Sequence, residues 1–132
     1  GLKDQTIGIL GLSFKPNTDD TRDAPALDII RMLLKKGAKV QAFDPQAMQT
    51  CKDEIPALTL RQSPYEVAKG ADAILLATEW NEFKSLNFSE IKNNMRGNVI
   101  FNGRNLWDGQ VLHNLGFIYF GIGVPSPKNK EK

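Results

Sequence analysis

The chain has 132 residues, 17 basic and 15 acidic side chains, a net charge of +2 and 41% apolar residues. This length suits one domain with a core of its own, and so balanced a charge argues against nucleic acid or a membrane surface as a partner. One cysteine, Cys51, leaves no disulfide within the chain and suits a reducing, cytoplasmic setting.

No run approaches the ~18 apolar residues of a membrane span. The first residues, Gly1-Leu2-Lys3-Asp4-Gln5, do not have the make-up of a signal peptide. An opening without methionine, almost directly on a strand, suits a piece of a longer protein.

The apolar run 6–12 predicts a buried strand, followed by a long polar loop over 15–23. A helix follows, with Ala26, Leu27, Ile29, Ile30, Leu33 and Leu34 on one broad face. Asp23 and Pro25 mark its first turn and Gly37 its stop. A second strand covers 39–43 and ends at Asp44-Pro45; an irregular stretch leads to a short strand near 57–60. Ser63-Pro64-Tyr65-Glu66 has capping-box spacing, and the helix it starts stops at Gly70.

The run 71–77 is apolar on both faces, as a central parallel strand is. A helix starts at Asn87-Phe88-Ser89-Glu90 and ends by Gly97; a strand follows over 98–101. Asp108 caps a helix that Gly116 stops, and 117–120 is the last strand. Strands alternating with helices predict right-handed crossovers and a three-layer, Rossmann-like α/β domain, its mainly parallel sheet having about five or six strands. The domain is expected over 1–125, with the basic segment 126–132 a disordered tail.

Open parallel sheets bind ligands outside the carboxyl ends of their strands. Two cations stand at such ends, Lys15 and Arg104, with Phe14 and Trp80 near them in sequence. Two converging cations suit a diphosphate; the other reading is that they are solvated loop residues balancing Asp19, Asp20 and Asp23. The dinucleotide pattern G-x-G-x-x-G is missing after the first strand, where the glycines are Gly8 and Gly11. Asp44 stands where NAD-binding domains hold a ribose carboxylate, but without those glycines it reads better as a turn residue before Pro45.

The segment Gly11-Leu12-Ser13-Phe14-Lys15-Pro16-Asn17-Thr18-Asp19-Asp20-Thr21-Arg22-Asp23-Ala24-Pro25 resembles the signature of the carboxy-terminal, UDP-binding domain of the UDP-glucose/GDP-mannose dehydrogenase family. Ala77-Thr78-Glu79-Trp80-Asn81-Glu82-Phe83 and Asn102-Gly103-Arg104-Asn105 are similar to later family segments, in the right order. The resemblance covers nearly the whole chain and is nearer to UDP-glucose 6-dehydrogenases than to GDP-mannose or UDP-N-acetylmannosamine enzymes.

Such enzymes oxidise the sugar C6 alcohol to a carboxylate by two hydride transfers to NAD, through a covalent adduct on a cysteine. The resemblance implies substrate contacts from Phe14, Lys15 and Arg104, and an NAD contact from Arg22. It implies the amino-terminal NAD-binding domain and a central domain as partners, and a homo-oligomeric enzyme. Trp80 reads as packing. Cys51 has none of the glycine-rich context of the family's nucleophile, so the chain alone is expected to be inactive. His113 reads as a structural residue of the last helix, and no Cys/His spacing supports zinc. A phospho-acceptor receiver domain and a free-standing oligomerisation or regulatory module are the rival readings.

Overall fold

The computed structural model describes residues 3–12, 25–103 and 106–121. Within them, β1 (Thr6–Leu10), α1 (Pro25–Lys35), β2 (Lys39–Phe43), α2 (Met48–Glu54), β3 (Thr59–Leu60), α3 (Pro64–Ala68), β4 (Ala73–Leu76), a 3₁₀ turn (Asn81–Phe83), α4 (Phe88–Asn94), β5 (Val99–Asn102), α5 (Gly109–Asn114) and β6 (Ile118–Gly121) follow in chain order. The six strands form one sheet in the order β3-β2-β1-β4-β5-β6, and every pairing is parallel. This is the three-layer α/β fold that the alternation of strands and helices predicts, with a wholly parallel sheet.

The register shows how the layers are filled. Ile9 lies beside Ala42 and Leu75, and Leu75 beside Phe101, so these residues share one face. There Ile9, Val40 and Ala42 pack with Leu27 and Ile30 of α1 and Cys51 of α2. Leu10, Leu76, Ile74, Ile100 and Tyr119 point the other way. They form a second core with Val67 of α3, Ile91 of α4 and Leu112 of α5. Gly8 lets α3 lie directly on β1: a Cβ there would stand 2.6 Å from Val67 Cγ1.

The helix starts follow the expected chemistry. Ser63 Oγ accepts the Glu66 N–H at 3.2 Å, and Glu66 Oε1 accepts the Gln62 N–H at 2.8 Å. Each satisfies an amide that the helix itself cannot. Asn87 Oδ1 accepts the Glu90 N–H, and Asp108 Oδ1 accepts those of Gln110 and Val111. On α1, Leu27 and Ile30 are buried while Asp28, Arg31, Met32 and Lys35 face water. Arg31 ties that outer face to α2 by pairing with Asp28 and Glu54.

One element and several strand boundaries differ from the sequence reading. Residues 48–54, read as irregular, form α2; its amino end at Ala47 has no side-chain cap, so its start carries no capping signal. Several strands are also shorter or shifted by one or two residues: β1 ends at Leu10 and β4 spans Ala73–Leu76. The expected tail 126–132 lies outside the described residues.

Candidate functional site

The strand order reverses between β1 and β4, and in open α/β sheets ligands bind outside the carboxyl ends at that point. The chain leaves β1 through Gly11, whose N–H donates to Phe43 O at 2.9 Å. Gly11 has φ +92°, and a Cβ there would lie 2.5 Å from Thr78 Cβ and 2.7 Å from Thr78 N. Only glycine meets both the left-handed backbone and the close approach of the β4 exit. The ends of β1 and β5 are two strands apart, about 10 Å at ~4.8 Å per strand.

Asp44, just beyond β2, is fully buried. Its Oδ2 accepts the Leu12 N–H at 2.7 Å and the Trp80 Nε1–H at 3.1 Å. Its Oδ1 accepts the N–H groups of Gln46 and Ala47, both at 2.8 Å. One carboxylate therefore ties together the exits of β1, β2 and β4. Burial of a charge is costly, and four charge-assisted hydrogen bonds offset that cost. Asp44 is thus the turn residue that the missing glycines suggested. Sealed and hydrogen-bonded in this way, it does not fit the ribose-holding carboxylate of a dinucleotide site. Trp80, 6% exposed, is packing with a polar handle, as expected.

A second bracket holds the exit of β5. Asn102 is fully buried; its Nδ2 donates to Trp107 O at 3.1 Å and to the Tyr119 hydroxyl at 2.8 Å, and its Oδ1 accepts the Leu106 N–H at 3.3 Å. Trp107 Nε1 donates to Phe83 O at 2.7 Å, which fixes the loop after β5 to the 3₁₀ turn after β4. Gly103 N–H donates to Leu76 O at 3.1 Å. Asn102 stood in the sequence only as part of the segment around Arg104. Its bracketing role depends on Tyr119, which reaches it only once β5 and β6 are paired.

Phe14, Lys15, Arg22 and Arg104 lie outside the described residues; the flanking Gly11-Leu12 and Asn102-Gly103 are the two platforms just described. Cys51 is fully buried in α2. Desolvation, helped by Glu54, pushes its thiol up to about 12, which removes the thiolate that a nucleophile needs. His113 is a half-buried residue of α5. A cleft of about 240 Å³ lined by Lys39, Gln41, Arg61 and Lys69 opens at the amino end of the sheet, away from the switch point. An apolar cleft of about 240 Å³ beside the loop after β5 is lined by Leu86, Phe88, Leu106 and Trp107. No helix among the described residues is long and apolar enough to cross a membrane.

Residues 8–109 match the model of the UDP-glucose/GDP-mannose dehydrogenase family, UDP binding domain. The chain is 42% identical over 127 residues to a UDP-glucose 6-dehydrogenase of Pseudomonas aeruginosa, covering 92% of this chain and 28% of that one. Among solved structures, a UDP-glucose dehydrogenase from Pyrobaculum islandicum superposes with a TM-score of 0.76 at 31% identity, and a UDP-D-ManNAc dehydrogenase from Pyrococcus horikoshii with 0.75 at 35%. Both superpositions cover 92% of this chain and 26% of the other. The chain thus spans little more than a quarter of the length of the curated relatives it matches. Matched over most of its length and folded like these dehydrogenases, the chain belongs to the UDP-glucose/GDP-mannose dehydrogenase family, as its UDP-binding domain.

Proposed function

We propose that this chain is the substrate-holding domain of an NAD-dependent, cytoplasmic and homo-oligomeric UDP-glucose 6-dehydrogenase. The observation that carries the reading is the 42% identity to a UDP-glucose 6-dehydrogenase across 92% of the chain. The switch point supplies the physical support. Two rigid strand exits stand about 10 Å apart, a gap that a lysine following one and an arginine following the other can close from both sides.

In this reading Lys15 and Arg104 hold the diphosphate, the arginine through its planar fork and the lysine as a mobile point charge. Phe14 frames the sugar nucleotide, and Arg22 reaches toward NAD across the domain cleft. NAD accepts the hydrides and is held mainly by the part of the enzyme outside this chain, in keeping with the sealed Asp44. The described residues offer no activated nucleophile: Cys51 is buried, and that burial pushes its thiol up to about 12. In this reading the chain alone binds and orients, and does not oxidise.

The test uses the complete dehydrogenase that carries this domain, supplied with NAD and each of UDP-glucose, UDP-N-acetylmannosamine and GDP-mannose. Reduction of NAD with UDP-glucose far exceeding that with the other two is the expected result. A preference for either other sugar would overturn the choice of substrate.

A further inference from the structure

Positive charge also gathers at the end of the sheet opposite the switch point. Gly8, Gln41 and Thr59 are register neighbours across β1, β2 and β3, and so share one face. Helix α3 lies on that face at Gly8. Toward the β3 edge a cleft of about 240 Å³ opens beside it, lined by Thr6, Lys39, Gln41, Thr59, Arg61 and Lys69. No carboxylate lines this cleft, and among the described residues none of its three cations pairs with one. Asp72, which accepts the Thr6 N–H, is engaged by Arg96.

One lining side chain is buried. Gln41 is 5% exposed; its Nε2 donates to Val67 O and Lys69 O, both at 2.8 Å, and its Oε1 accepts the Arg61 Nε–H at 3.0 Å. The Arg61 backbone is fixed as well, its N–H donating to Ala42 O at 2.9 Å. Held through Nε, the guanidinium keeps its two terminal nitrogens for a ligand, and such a planar fork suits phosphate. Charged side chains along an edge strand discourage pairing with other chains, which accounts for exposed cations there. It does not account for a buried glutamine that orients one of them.

We infer that this cleft is an anion site for a compact phosphate or diphosphate group. Arg61 is its oriented fork, and Lys39 and Lys69 are its mobile point charges. An arginine already fixed by Gln41 loses less freedom on binding than a free one. The cleft is smaller than the roughly 300–1,000 Å³ of sites that enclose a drug-sized ligand, so the part recognised is the phosphate and not a base or ribose. The site is additional to the diphosphate proposed for Lys15 and Arg104, and it does not rest on that reading.

Lysine acylation of the full-length enzyme tests this at constant ionic strength, with Lys39 and Lys69 followed by peptide mapping. Inorganic phosphate, inorganic diphosphate and UDP are titrated separately, with chloride as the control. The expected result is saturable protection, about tenfold once the anion stands at about ten times its dissociation constant. Diphosphate, the more highly charged, should saturate at the lower concentration. Arg61→Gln should raise the half-protection concentration by at least about tenfold. Lys39→Gln, followed at Lys69, should act in the same direction and serves should Arg61→Gln fail to fold. Protection that never saturates, or that chloride matches, would overturn the site. So would equal half-protection in the parent and in both variants. Protection by UDP with neither inorganic anion effective would overturn the ligand class.

Discussion

The two ends of the sheet are held by opposite means. At the carboxyl end, Asp44 and Asn102 are fully buried and bind the exits of four strands through backbone amides, a backbone carbonyl, the Trp80 indole N–H and the Tyr119 phenol. At the amino end, Asp72 accepts the Thr6 N–H at 2.8 Å and pairs with Arg96, whose side chain is 57% exposed. Buried, fully engaged polar groups fix loops in one geometry, whereas an exposed pair is screened by solvent and contributes little. The end that carries the costly buried polar groups is the carboxyl end, where open parallel sheets bind ligands.

Removing the buried carboxylate should break the platform outright. Asp44→Ala leaves several buried N–H donors without an acceptor, at ~1–3 kcal/mol each, for a loss on the order of 4 kcal/mol in denaturant unfolding. Gly11→Ala forces a Cβ onto Thr78 at a left-handed backbone position. We expect a loss of about 2–5 kcal/mol from strain and overpacking together, read in the same titration. Trp80→Phe keeps the ring and loses the indole bond to Asp44, at a cost of about 1–3 kcal/mol.

The amino end gives the smallest effect, and it is tied to pH. The hydrogen bonds from Arg96, with that from Thr6 N–H, hold Asp72 below the usual carboxylate range. Its contribution is therefore complete above the ordinary aspartate pKa and fades as pH falls through the lower folded value. Asp72→Asn should lower the thermal midpoint slightly at neutral pH and leave it unchanged in strong acid. An equal loss at both pH values would contradict the ion pair.

Much of this architecture was legible in local sequence. Ser63, Asn87 and Asp108 announce helix starts because a capping side chain acts within three residues of itself. The strand cores were legible because apolar runs must be buried on both faces. Helix α2 was missed because its amino end has no cap, although Met48, Cys51 and Ile55 carry a helical stripe. The site was legible as an ordered set of segments and not as a mechanism of support. Asp44 meets Trp80 across 36 residues and Asn102 meets Tyr119 across 17; such partners exist only after the strands are ordered and in register. The left-handed turn at Gly11 is likewise explained by Thr78, which β4 brings alongside it.

In the proposed site Lys15, which follows β1 in sequence, and Arg104, which follows β5, hold one diphosphate. Calorimetric titration of UDP into the full-length enzyme and its Lys15→Ala and Arg104→Ala variants tests this most directly. Each variant removes a charge-assisted contact of roughly 1.5–3 kcal/mol, so each should weaken UDP binding by about ten- to a hundredfold while unfolding as the parent does. Unchanged affinity in both variants would contradict the diphosphate assignment.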